Sequence, residues 1–401
     1  MVDELNMKRV PARRFPEFKN DGGWVEKQLS EIAQFYKGKG ISKNEVSDKG
    51  IIPCVRYGEL YTHYMEMITE TKSFTNLPAE DLFFSKANDV IIPSSGETKE
   101  DISTASCVMK DNIALGGDIN VIRGFNNGVF LSYYLNHVKK NDIAKIAQGI
   151  SIIHLYNDQL KSLLISIPSL QEQNKIAFCL SSVDKLISYT RDKLKLLKLQ
   201  KKSLMQKLFP AQGEKIPKYR FKEFENDGEW VENKLGNIIS TISPLKKLQL
   251  KEYKKEGKYP IVDQSQNFIC GYSNDSDAVI NVASEKLIVF GDHTCTLKFV
   301  DFPFIQGADG IKIFKSLYSD MVDVCFLYQF LLCFPIVSKE YKRHFSELKE
   351  KIVCYPQNVK EQNRIATCLF IIDECINQFE NKITWLELCK KGLMQQLFPL
   401  T

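Results

Sequence analysis

The 401-residue chain has no apolar run approaching the roughly 20 residues that a membrane-spanning helix needs. Its N-terminus, MVDELNMKRVPARRF, lacks the apolar core of a secretory signal, so a cytoplasmic location with no membrane contact is expected. Eleven cysteines are present, yet no two form a C-x-x-C pair. A structural zinc site lacks its usual spacing, and a disulfide framework does not suit a large cytosolic chain. Reduced thiols scattered through the cores are expected, with no metal. There is no G-x-x-x-x-G-K-[ST] loop for a nucleoside triphosphate and no G-x-S-x-G elbow, and the five histidines form no H-E-x-x-H helix. The Asn-Pro-Pro and Asp-Pro-Pro tripeptides of amino-methyltransferases are also missing. An E-x-K triplet at residues 340–342, with Asp320 or Asp323 upstream, resembles a nuclease motif, but charge-rich chains produce such triplets by chance. No catalytic residue is expected.

What is present is globular material, 44% hydrophobic and 26% charged, in a chain too long for one core. The net charge of +5 is compatible with nucleic acid but too small to argue for it alone. The main positive signal is a duplication. VPARRFPEFKNDGGWVEKQL, from Val10, recurs as IPKYRFKEFENDGEWVENKL, from Ile216, 206 residues later. EQNKIAFCL, from Glu172, recurs as EQNRIATCL 189 residues later, and the same shift carries SLMQKLFP, from Ser203, onto GLMQQLFP. Each half therefore has similar ends around a middle of different length and sequence. Two copies do not make a solenoid.

The second repeated block reads as a helix from Glu172 to Phe209, free of glycine and proline and bracketed by Pro168 and Pro210. One heptad position holds Leu180, Ile187, Leu194, Lys201 and Leu208; the other holds Ile176, Val183, Thr190, Leu197 and Leu204. The second copy repeats the seam, from Leu369 to Leu397 and from Ile365 to Leu393. Five heptads predict coiled-coil pairing of helices about 57 Å long. Both copies place a lysine in the seam, Lys201 and Lys390. Such a charge can fix register and partner, or its stem can lie along the seam with the ammonium in water.

The unlike middles, from about Ser30 to Ser166 and from about Gly236 to Tyr355, read as mixed strand and loop. IIPCVRYGEL (51–60) and DVIIPSSGET (89–98) are β-rich runs ending in polar residues, as are YPIVDQSQ (259–266) and KLIVFGDHT (286–294). Their ends could read bases: Asn or Gln pairs with adenine, Arg or Lys with guanine, Asp or Glu with cytosine. The same residue types also simply make turns. The candidates are Arg56, Tyr57, Ser94, Ser95, Glu97, Thr98 and Lys99 in the first half, and Asp263, Gln264, Gln266, Asp292, His293 and Thr294 in the second. Lysine-rich runs near the start of each middle, with Lys37, Lys39 and Lys43 and then Lys246 and Lys247, are candidate phosphate contacts.

Taken together, R-F-x-E-F with W-V-E-x-x-L, E-Q-N-[KR]-I-A after a proline-containing segment, and L-M-Q-x-L-F-P closing each helix resemble the specificity subunit of type I restriction–modification enzymes. The resemblance covers nearly the whole chain. It implies an α+β or α/β fold with pseudo-two-fold organisation, in which two target-recognition domains are joined by two long helices forming an antiparallel coiled coil. The expected divisions are 1–166 and 211–355 for the recognition domains, with 167–210 and 356–401 as spacer helices. Duplex DNA has two-fold axes across its length, and such an axis relating two helices makes them antiparallel. The resemblance further implies an asymmetric, bipartite double-stranded DNA site and partnership with two methylation and two restriction subunits. S-adenosylmethionine, ATP and Mg2+ are expected in those partners and none in this chain. The rival readings are a scaffold that binds no DNA and a single-chain nuclease or methyltransferase. Neither explains duplicated ends around dissimilar middles.

Overall fold

The computed structural model describes residues 10–149, 152–282, 285–336 and 343–399. The chain divides into two compact units, one of residues 1–190 with 382–401 and the other of residues 191–381. Two helices of 39 residues, Leu170–Leu208 and Val359–Leu397, each contribute to both units. At 1.5 Å per residue each is about 58 Å long.

In the first unit, Ile176 and Leu180 share a core with Leu397 and Phe398. In the second, Met205 and Leu208 share a core with Ile365 and Leu369. In both, the beginning of one helix lies with the end of the other, so the pairing is antiparallel. Every residue of the two predicted seam positions is buried or half-buried, whereas Lys195, Lys202 and Glu387 are exposed.

The seam lysines are paired rather than solvated. Lys201 Nζ donates to both carboxylate oxygens of Asp373, at 2.6 and 2.7 Å. Lys390 Nζ lies 2.8 Å from Asp184 and 2.9 Å from Glu66. Asp184 and Asp373 stand in the same place in the two repeats, 189 residues apart, so one ion pair has been built twice. Burial pulls the Lys390 pKa down, but Glu66 and Asp184 outweigh it and hold the ammonium above its ordinary range. A raised folded-state pKa gives stability that is complete below the unfolded value, about 10.4, and is lost as pH rises through the folded value. The difference in melting midpoint between the native protein and Lys390→Met should therefore stay constant to about pH 10 and shrink above it. A difference that instead grew with alkalinity would contradict the pairing.

The two units share a topology that their middle sequences hide. In the first, strands Gln34–Lys37, Ile119–Arg123, Asp89–Pro93, Ser106–Val108 and Met67–Ile68 form one sheet in that order, and Ser73–Thr75, Ile52–Val55 and Ala114–Leu115 form another. In the second, Ile239–Ile242, Ile311–Ser316, Leu287–Gly291 and Leu297–Val300 form one four-stranded sheet, and Gly271–Ser273, Tyr259–Val262, Phe304–Gln306 and Val279–Ile280 form another. In both units the second sheet named contains one parallel pair, Ile52–Val55 with Ala114–Leu115 and Tyr259–Val262 with Phe304–Gln306.

The repeated ends build the same buried joint in each unit. Arg14 forms a two-pronged ion pair with Glu172, its Nε at 2.8 Å and its second fork nitrogen at 2.6 Å. Arg220 does the same with Glu361, both at 2.8 Å. Beside them Trp24 packs edge-on to Phe398, and Trp230 and Phe209 both pack on Phe326. The R-F, D-G-x-W, E-Q-N and L-F-P motifs recur because these side chains meet.

Candidate nucleic-acid interface

In the first unit three loops converge where strands end. Strand Ile52–Val55 stops at Arg56, which begins the short helix Tyr57–Thr62, with the Arg56 backbone N–H held by Glu59 at 2.8 Å. The turn Gly116–Asp118 lies alongside, and the Gly116 N–H donates to the Val55 carbonyl at 2.9 Å. The third loop follows strand Asp89–Pro93: the Ser94 N–H donates to the Asp118 carbonyl at 2.8 Å, and Ser95 Oγ lies 3.3 Å from the Asp118 carboxylate and 3.2 Å from His154 Nδ1. Lys43, Arg56, Tyr57 and Asp118 line one open cleft with the Gly116–Gly117 backbone. Arg56 Nε is buried with no hydrogen-bond partner among the described residues.

The second unit repeats this arrangement with other residues. The Gly307 N–H donates to the Val262 carbonyl at 2.9 Å, matching Gly116 and Val55. Gln264 Nε2 donates to the Asp309 carbonyl at 3.2 Å, and Thr294 Oγ1 donates to the Gln264 carbonyl at 2.8 Å. Gly310, at φ +82°, closes the group: a Cβ there would lie 2.9 Å from His293 Cδ2 and 3.0 Å from Gln264 Nε2. Arg56 and Tyr57 in one unit thus occupy the place of Asp263 and Gln264 in the other.

Several sequence candidates have partners within the fold. Asp292 is 2% exposed, and its carboxylate accepts from the Phe345 N–H at 2.8 Å. Asp263 is buried, and its carboxylate holds the Ser265 N–H and the Cys270 thiol, both at 2.8 Å. Ser94 is buried as well. Thr98 caps the helix Lys99–Ile102 by accepting from the Asp101 N–H at 3.1 Å. Glu97, Lys99 and Gln266 are exposed, as are Lys37, Lys43 and Lys247. Lys39 donates to the Glu80 carbonyl at 2.9 Å, and Lys246 pairs with Asp275 at 2.6 Å, so both cations are already engaged. The E-x-K triplet at 340–342 lies outside the described residues. Asp323, its upstream candidate, caps the helix Val324–Cys333 through the Phe326 N–H.

Sequence reasoning missed Asp118, His154 and the turn Gly307–Gly310. A signal existed: ALGGDINVI, from Ala114, and IQGADGIKI, from Ile305, both place Gly and Asp between two apolar strands.

Comparison with known proteins agrees with this geometry. Residues 21–225, just over half of the chain, match the family described as "Type I restriction modification DNA specificity domain". A Methanocaldococcus jannaschii protein described as a type I restriction enzyme specificity subunit is 25% identical over 431 aligned positions, covering 98% of this chain and 96% of its own. A type I restriction enzyme specificity subunit of Escherichia coli is 28% identical over 146 positions, 35% of each chain. The solved S subunit of a type I restriction–modification system from M. genitalium shares the fold, with a TM-score of 0.70 at 17% identity over 98% of this chain and 100% of that one. This chain belongs to the type I restriction–modification DNA specificity family.

Proposed function

We propose that this chain is the DNA-reading subunit of a type I restriction–modification complex and that each of its units reads one half of an asymmetric, bipartite site. The observation that carries this reading is the three-loop edge, built twice on one topology from unlike residues. A common frame with variable tips is what reading two different sequences requires. The exposed lysines Lys37, Lys43 and Lys247 supply phosphate contacts, and the loop tips supply base contacts. The subunit has no catalytic residues of its own. Two methylation and two restriction subunits supply the chemistry, and S-adenosylmethionine, ATP and Mg2+ bind to them. Phe178, Tyr189, Trp385 and Leu388 stand exposed on the long helices and provide apolar docking area for those subunits.

The test is binding of the protein, with its methylation partner, to duplex DNA across a salt series. The logarithm of affinity is expected to fall linearly with the logarithm of salt, and one sequence should be retained against excess competitor. Salt-independent retention, or none, would favour the scaffold reading.

A further inference from the structure

Lys298 is a charged residue where the strand pattern calls for an apolar one. It lies on the inward-facing side of strand Leu297–Val300, is 4% exposed, and pairs with Val289 across the sheet. Among the described residues its ammonium has no carboxylate in hydrogen-bond contact. It donates to two backbone carbonyls, Asp263 at 2.7 Å and Asn267 at 2.5 Å. Burial lowers its pKa from the ordinary lysine range, so the site strains the charge it holds. A buried ammonium is costly, and a leucine or methionine would serve the core better.

Both carbonyls belong to the loop Asp263–Cys270, which carries Gln264 and Gln266. The loop is tied a second time from within, where the Cys270 thiol and the Ser265 N–H both donate to the Asp263 carboxylate. The other unit treats the same register position alike. There Ser106, which pairs with Ile91 as Lys298 pairs with Val289, is fully buried. Its hydroxyl donates to the Met65 carbonyl at 2.6 Å, in the segment that follows Arg56 and Tyr57. In each unit, a polar side chain on an inward strand position holds a backbone carbonyl of the segment that carries, or follows, the candidate reading residues.

We infer that Lys298 is a positioning residue for DNA specificity, fixing the loop Asp263–Cys270 as a preformed reading head for the second half-site. The inference rests on the DNA-reading function proposed above. Preorganisation removes the ordering cost that a loose loop would incur on binding. The cost of burying the ammonium is the stability exchanged for that rigidity.

The test compares native protein, Lys298→Met and the milder Cys270→Ala, each assembled with the methylation partner. Melting midpoints are measured together with affinities for duplexes altered one base pair at a time in each half-site. Lys298→Met is expected to weaken cognate binding by about tenfold or more, as the loss of one good base contact does. It should also flatten the ranking of base pairs in the second half-site and leave the first ranking intact. Cys270→Ala should shift the same ranking by less, and it carries the test if Lys298→Met does not fold. Unchanged rankings in a folded variant, or equal flattening in both half-sites, would overturn the inference. Absence of sequence-specific binding by native protein would overturn the DNA reading itself, and this inference with it.

Discussion

Arg220→Ala is expected to destabilise the unit formed by residues 191–381 by about 3–5 kcal/mol, the usual cost of leaving one partner of a buried ion pair alone. Arg220 and Glu361 are 7% and 1% exposed, and the two hydrogen bonds of the fork are the contacts that satisfy the Glu361 carboxylate. Arg220 also donates to the Gly228 carbonyl at 2.6 Å, so the substitution frees a second acceptor beside the W-V-E segment. For a unit of this size, about 2–4 °C per kcal/mol converts the loss to roughly 6–20 °C in melting midpoint. Arg14→Ala should do the same to the other unit, whose Arg14–Glu172 pair has the same exposures. Lysine in place of Arg220 should recover only part of the loss, because an ammonium cannot bridge both carboxylate oxygens in the planar geometry of the fork. Replacing both partners, as in Arg220→Leu with Glu361→Met, should recover most of it, since the apolar pair leaves no charge stranded. A loss below about 1 kcal/mol for Arg220→Ala would mean that the joint does not hold the unit together.

Exchanging residues 236–350 for the matching segment of a relative is expected to change one half of the recognised site and leave the other as it was. This segment spans both four-stranded sheets of the second unit and its three loops, but neither the Arg220–Glu361 joint nor the long helices. The graft therefore meets the same supports the native segment meets. Each altered base pair in a site costs about 1–3 kcal/mol, so two altered positions already separate the old and new sites by roughly one to four orders of magnitude in affinity. Competition between duplexes carrying either version of that half-site measures the separation directly. Simultaneous change in both halves would mean that the units do not read independently.

The parts of this architecture legible in sequence are those that the duplication forces to repeat. The Arg–Glu joint and the Trp–Phe packing need particular side chains at particular places, so they survive as R-F, E-Q-N, D-G-x-W and L-F-P. The helices were legible because a seam repeats every seven residues over most of their length. The shared topology of the middles was not. A strand core asks only for apolar side chains on its inward face, which many unlike sequences supply, and the parallel pairs join residues far apart in the chain. Burial is the feature that three of the base-reading candidates concealed in the sequence. Asp263, Asp292 and Ser94 follow buried strands and look like exposed turn residues, but convergence of three loops encloses them. Lys298 was hidden for the opposite reason, since a lysine in a strand is ordinarily taken to face water.

The most direct measurement of the central claim is methylome sequencing of a host expressing this chain with its methylation subunit. One methylated motif is expected, made of two unlike specified blocks separated by unspecified base pairs. A continuous motif, a palindromic one, or no sequence-specific methylation by an assembled complex would contradict it.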